Sequence, residues 1–410
     1  MKRVVVTGMG IWSCIGQDLQ TVTESLKQGR SGIIFDPKRI EMGLQCGYVG
    51  HVPFPNLKPL LPRRFRTTMS EDASLAYMVT RQAFMQSQIT EDYLSKNEVG
   101  VIWGSEGDSH FVKEMQIIQQ EHNSLLIDPN AVFKSFASSE AANIATSFNL
   151  RGINLSTEAG CASASHAIGL AMMYIKSEQQ DVILVGGTSL STSMLATIVG
   201  DACIGKRVLV DSPQAASRPF DQMHSGVISS EGSVALVLED YDHAIARKAP
   251  ILAEIVGYGV SCNGAEIISQ PNSEGMKISI LRALDDAQIH ADDIDYINAA
   301  SAISSYNEDK ETAIALKSIF EGKKAWISST QSISGHEFTM EGASEVVYTI
   351  LMMQNGFIAP NINLEKEIKE AVSLRIAKEA MEIPIRYALV NSSGLGGINS
   401  ALVLKNIYDE

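Results

Sequence analysis

Apolar residues recur along the chain at two spacings, and the alternation between them sets the expected architecture. Val4-Val5-Val6-Thr7-Gly8 reads as a buried strand, with Gly8-Met9-Gly10 as a glycine turn behind it. Between Asp72 and Gln86, the residues Leu75, Met78, Val79, Ala83 and Phe84 fall at helical spacing, and Val99 to Ser105 is a second buried strand. The run from Phe133 to Phe148 predicts a helix of small residues, and Gly152 to Ser156 leads into a turn that holds Cys161. Asp181 to Thr188 and Gly232 to Glu239 are further strands, the first apolar without a break and so buried on both faces.

A similar plan then follows. Strands are expected at Ile251 to Val260, Ile294 to Ala299, Ala325 to Ser329, Tyr387 to Ser392 and Ala401 to Leu404, with helices at Gly275 to Ala287, Glu311 to Ile319 and Ala343 to Gln354. Strands alternating with helices, twice over, predict a layered α/β fold with two related halves, divided as residues 1–245 and 246–410. The order of elements carries that expectation, because residue identities do not display the repeat.

Composition narrows the classes. A chain of 410 residues with 45% hydrophobic and 20% charged positions is ordinary globular protein, too long for one simple core. The first apolar run is too short for a signal peptide, and no stretch reaches the ~18 apolar residues of a membrane span, so a soluble cytoplasmic protein without membrane insertion is expected. The five cysteines show no C-x-x-C pair, which argues against a zinc site or a disulfide framework. A net charge of −14 argues against nucleic acid as the main partner. Local basic patches at Arg63, Arg64 and Arg66, and at Lys206 and Arg207, suit either an acidic partner or plain solvated charge.

Candidate chemistry gathers at three places. Cys161 lies among small residues ahead of Ala167, Ile168, Ala171, Met172 and Ile175, an apolar set at helical spacing. It should sit at a tight turn into a helix, where unpaired N–H groups and the positive end of the helix dipole favour a negatively charged sulfur. A buried, inert core cysteine is the competing reading. His336 follows a strand and a glycine in Ser332-Ile333-Ser334-Gly335-His336, and is either structural or catalytic. Asn391 to Asn399 is a glycine-rich loop, either a hairpin turn or part of a site.

Together with Pro213 to Asp221 and the opening strand, these segments resemble the β-ketoacyl-acyl-carrier-protein synthases, condensing enzymes of the thiolase superfamily, along nearly the whole chain. The resemblance implies a thiolase-like five-layered α-β-α-β-α fold with two similar halves, a dimer, an acyl carrier protein as partner and no cofactor. It implies a cysteine that takes an acyl chain as a thioester, two histidines that polarise a malonyl thioester as it decarboxylates, and an oxyanion hole of backbone N–H groups. Cys161 matches the nucleophile and His336 the second histidine. Gly394, Leu395, Gly396 and Gly397 match the oxyanion loop, with Leu395 where the family has phenylalanine, and Glu311 has a family counterpart.

The chain also departs from the pattern. The family's Asn-Ala-His-Gly-Thr segment reads Asn298-Ala299-Ala300-Ser301-Ala302, so the first histidine is Ala300. Its supporting lysine is Gln331, and its gating phenylalanine aligns with Cys203. Glu337, beside His336, is expected to work against a thiolate. These losses favour a partner subunit resembling a chain-length factor of a type II polyketide, polyene or fatty-acid system, dimerised with an active ketosynthase. The retained Cys161 and His336 keep open an autonomous atypical synthase or acyltransferase, as a homodimer, and a cysteine hydrolase is the third possibility.

Overall fold

The structure is a computed structural model that describes residues 2–407 apart from 106–108, 122–125, 191–211, 225, 265, 269 and 300–305. Ten strands form one sheet. In chain order they are β1 (Val4–Ser13), β2 (Gly100–Gly104), β3 (Asn154–Thr157), β4 (Val182–Ser189), β5 (Gly232–Asp240), β6 (Ala253–Cys262), β7 (Tyr296–Ala299), β8 (Trp326–Ser328), β9 (Tyr387–Gly394) and β10 (Ile398–Lys405). The spatial order is β8-β7-β9-β10-β6-β1-β5-β4-β2-β3.

That order shows the repeat that residue identities hide. Read outward from the β1–β6 junction, each half places its own first strand, then its fifth, fourth, second and third. In both halves the first two pairings are antiparallel and the next two parallel. Within the sheet, among the described residues, the halves pair through Val4, Val5 and Val6 against Ile255, Glu254 and Ala253.

Four helices complete the layers. They are α1 (Glu71–Ser87), α2 (Ser163–Lys176), α3 (Ser273–Asp286) and α4 (Glu341–Asn355). Helix α1 starts on an N-cap, Ser70, whose hydroxyl accepts from Ala73 N, with Glu71 and Asp72 in the first turn facing the dipole. It covers the outside of the first half-sheet, and α3 covers the second in the equivalent place. Helices α2 and α4 lie between the two half-sheets inside one large apolar core, and separate cores fill the outer layers. The expected five-layered arrangement follows from this stacking. Helix α4 is buried from Glu341 to Met353, as a helix enclosed on all sides must be.

One expected turn is absent. Strand β1 runs straight through Gly8-Met9-Gly10 to Ser13. These glycines serve close packing: a Cβ on Gly8 would lie 2.2 Å from Ala83 O, and one on Gly10 2.0 Å from Val79 O, both on α1. The second half repeats the device, where a Cβ on Gly257 or Gly259 would lie 2.1 Å from the α3 carbonyl of Ala283 or Ser279. The expected helix over 133–148 is likewise two, Ala131–Ser135 and Ser139–Phe148, with Phe136 extended between them. Ser135, Ser138 and Ser139 surround the break, and serine hydroxyls compete for backbone groups there. No helix among the described residues is long and apolar enough to cross a membrane.

Because α1 cannot retreat from its own strand, Gly10→Ala should destabilise the fold by about 3 kcal/mol, the upper end of ordinary overpacking costs. Urea unfolding measures this, and a midpoint equal to that of the unaltered chain would show that α1 has room to move.

Candidate active site

Two helix starts carry the site, one from each half. Gly160, at φ +56° in the left-handed region that glycine tolerates, turns the chain so that Cys161 sits just ahead of α2. Across from it, Gly335 at φ +74° brings His336 to the threshold of α4. The histidine backbone is clamped on both sides: its N–H donates to Ile228 O at 2.8 Å, and its carbonyl accepts from Ser230 N at 2.8 Å. A Cβ on Gly335 would meet Ser230 Oγ at 2.4 Å, so only glycine fits there.

The two side chains meet. Cys161 Sγ lies 3.1 Å from His336 Nε2, and both residues are buried. On the far side of the ring, Nδ1 lies 2.6 Å from Oε2 of Glu341, the first residue of α4. Gln331 Nε2 donates to the other oxygen, Oε1. Sulfur, imidazole, carboxylate and carboxamide thus form a buried line, the arrangement in which a base activates a nucleophile and a third group orients the base. The Phe338 ring packs 4.7 Å from the histidine ring and helps to fix its plane.

Glu337 is placed differently from the expectation that it opposes a thiolate. It turns away from the sulfur and accepts hydrogen bonds from Ser13 Oγ at 2.7 Å, Tyr348 OH at 2.8 Å and Ser344 Oγ at 2.5 Å. Burial pushes its carboxyl up, which favours the neutral acid. The carboxylate that reaches the histidine is Glu341, which sequence reading passed over. Its signal was the spacing of Glu337, Glu341 and Glu345, four residues apart along one helical face and embedded in small and apolar residues.

The glycine-rich loop lies beside the cysteine turn. Strand β9 ends at Gly394 and β10 begins at Ile398, with Gly396 and Gly397 in left-handed conformations between them. A Cβ on Gly160 would lie 3.3 Å from Leu395 N, so this loop abuts the cysteine turn. Ser393 to Gly397 also line a cleft with Asn263, Ile268 and Glu308, and Leu395 stands half-exposed at its mouth. Glu311 does not join the pair; it accepts from Ser273 N at the start of α3. Ala300, Cys203, Lys206 and Arg207 lie outside the described residues. Arg63 and Arg64 are exposed in the short helix Arg63–Arg66, whereas Arg66 Nε donates to Leu61 O at 2.9 Å.

Cys161, His336 and Glu341 have ligand atoms all within 4.8 Å of one another, a donor set with the chemistry of a metal site. Glu341 contacts the ring nitrogen opposite the one that faces sulfur, however. An ion seated between sulfur and ring would leave that carboxylate in an outer position, so the line suits proton movement better than a metal cage.

Comparison with known proteins gives the family and the fold. The model of the β-ketoacyl synthase N-terminal domain matches residues 1–244, and that of the C-terminal domain matches residues 252–365. The 3-oxoacyl-[acyl-carrier-protein] synthase 1 of Haemophilus influenzae is 34% identical over 409 residues, 99% of each chain. A β-ketoacyl synthase structure from Burkholderia phymatum has a TM-score of 0.93 at 30% identity, over 99% of this chain and 100% of that one. The ishigamide ketosynthase/chain length factor gives 0.89 at 26% identity, over 99% of each. The fold is thus thiolase-like.

The acidic face of α4 yields a pH-dependent prediction. Glu345 is buried, and neither carboxylate oxygen has a hydrogen-bond partner among the described residues. Burial, then Glu341 and Glu337, hold its carboxyl well above the ordinary range. An acid raised in the folded state keeps its proton to higher pH there than in the unfolded chain. Its stabilising share is therefore full below the unfolded value of about 4.3 and falls as pH rises toward the folded one. Glu345→Gln should raise the melting temperature more at pH 8 than at pH 5, and an equal gain at both would contradict the assignment.

Proposed function

Because the chain belongs to the β-ketoacyl synthase family, we propose that it works as a partner subunit in acyl-carrier-protein-dependent chain elongation. The system is of type II, making a fatty acid, polyketide or polyene. The chain dimerises with a homologous ketosynthase, walls the acyl pocket as a chain-length factor does, and carries an acyl group on Cys161. One observation carries this reading: a nucleophile and one base are present, while Ala300 stands where the family places its first histidine. Alanine cannot donate to a developing enolate oxygen, and losing one such donor costs about 2.7–4 kcal/mol of barrier, roughly a hundred- to a thousandfold. Gln331, where the family has lysine, brings no charge to offset the loss.

Acyl loading needs less. A thiol proton passes to His336 Nε2, sulfur attacks the thioester carbon, and the imidazolium proton leaves with the carrier's sulfur. The backbone of Cys161 and of the loop at Leu395 is placed to receive the oxyanion. Strand β3, terminal in the sheet and largely exposed, ends four residues before Cys161 and gives a second subunit an edge to pair with beside the thiol. The similar ishigamide protein is itself described as a ketosynthase/chain length factor.

An autonomous, atypical synthase or acyltransferase is the second reading. The 3.1 Å Cys161–His336 contact favours it, since a subunit that only walled a pocket would not need the pair. For docking of the acidic carrier, Arg63 and Arg64 are the exposed cations of choice, with Arg66 beside them and Arg207 a further candidate from the sequence.

Two measurements test these assignments. Incubated alone with an acyl-carrier thioester, the protein should gain one acyl mass on Cys161, yet form ketoacyl product from malonyl thioester at least a hundredfold more slowly than when a Cys-His-His homologue is added. Full condensation by the lone protein would transfer the case to the second reading. Arg63→Glu with Arg64→Glu should weaken carrier binding about tenfold or more at low salt; unchanged affinity removes this surface from the docking site.

A further inference from the structure

The buried line beyond the sulfur raises the question of which proton His336 holds. Its Nδ1 touches Glu341 Oε2 and its Nε2 touches Cys161 Sγ, and a neutral imidazole carries one proton between those two places. Resting on the reading that Cys161 takes an acyl group, we propose that Glu341 is a positioning residue that selects the tautomer of His336 and thereby switches it between base and donor.

With Glu341 ionised, its negative charge 2.6 Å from Nδ1 favours the tautomer protonated there, and Nε2 is free to accept the Cys161 proton. Sulfur then bonds to the acyl carbon, the carrier's sulfur–acyl bond breaks, and the proton on Nε2 goes to the departing sulfur. With Glu341 protonated, its O–H faces Nδ1, the ring proton sits on Nε2, and the histidine donates toward sulfur or a substrate oxygen but cannot accept. Gln331 belongs to the same device: its Nε2 donates to Oε1 and so steadies the ionised form. A lysine there would pin the carboxylate permanently, whereas a neutral carboxamide leaves both states in reach.

The surroundings disfavour the ionised state. Glu337 lies ahead of the turn that leads into α4, Glu345 follows Glu341 by one helical turn, and Glu308 acts on it from the helix Tyr306–Phe320. Among the described residues, Cys161 and His336 lie beside it as well. Burial first, and then Glu337 and Glu308, hold the Glu341 carboxyl well above its usual range.

The test follows the rate at which iodoacetamide, and separately an acyl-carrier thioester, modifies Cys161 between pH 5 and pH 9. In the unaltered protein the rate should climb through a step that lies above the ordinary carboxylate range. Glu341→Gln should remove that step and slow acylation by between about a hundred- and ten-thousandfold; the upper figure is that of the orienting-carboxylate replacement in a serine protease triad. Glu341→Asp should restore part of the step. Gln331→Met keeps the acid but removes its donor, so the step should survive and move to higher pH. A pH profile unchanged in both Glu341→Gln and Gln331→Met overturns the proposal, with circular dichroism confirming that each is folded. If the alkylation profiles shift as expected while no carrier thioester ever acylates Cys161, the assignment of Glu341 stands and the acyl-loading reading falls.

Discussion

Helices α2 and α4 approach one another at their first turns, where a Cβ on Gly342 would lie 2.5 Å from Ser165 Cβ. That contact sets the distance between the two halves at the point where chemistry is possible. Each helix is fixed laterally by its own half-sheet, so their separation fixes that between Cys161 and His336. A larger residue at position 342 would push the helices apart, and a gap of even an ångström between sulfur and Nε2 would end the proton transfer. The same crowding recurs nearby, where a Cβ on Gly187 would lie 2.8 Å from Met340 Cα.

Around this contact the polar groups divide into two sets. Glu337 faces Ser13, Ser344 and Tyr348, three donors that hold it away from the sulfur. Glu341 faces His336 and Gln331, along the axis of the reacting pair. Two carboxyls four residues apart in the chain, Glu337 ahead of α4 and Glu341 at its first residue, therefore receive opposite assignments, decided by what the neighbouring elements present to them. Gln331, where the resemblance implies a lysine, gives this axis a neutral carboxamide among buried acidic groups.

Much of this was legible in the chain. Unbroken apolar runs located β4 and β5, helical spacing located α1, and the small residues around Cys161 marked a turn into a helix. Four features were not legible, each for a physical reason. Gly8 and Gly10 have the composition of a turn, and only the backbone of α1 above them shows that they make room for a helix. The break at Phe136 depends on competition for backbone groups, which apolar periodicity does not register. Glu341 is five residues from His336, a separation at which nothing local forces contact; the turn at Gly335 and the clamp on Ser230 create it. The register of the repeat was likewise hidden, because equivalent positions in the two halves share geometry without sharing residues.

The short junction between the halves bears on how the molecule responds to its surroundings. Besides three paired residues on each of β1 and β6 and backbone bonds such as those that clamp His336, the alignment of the halves is maintained by apolar surfaces packed around α2 and α4. Apolar association weakens on chilling and yields under hydrostatic pressure, while ladders within each half are shielded from both. Cold and compression would accordingly loosen the alignment of thiol and imidazole while the strands stay paired, and the molecule would lose its reactivity before its shape.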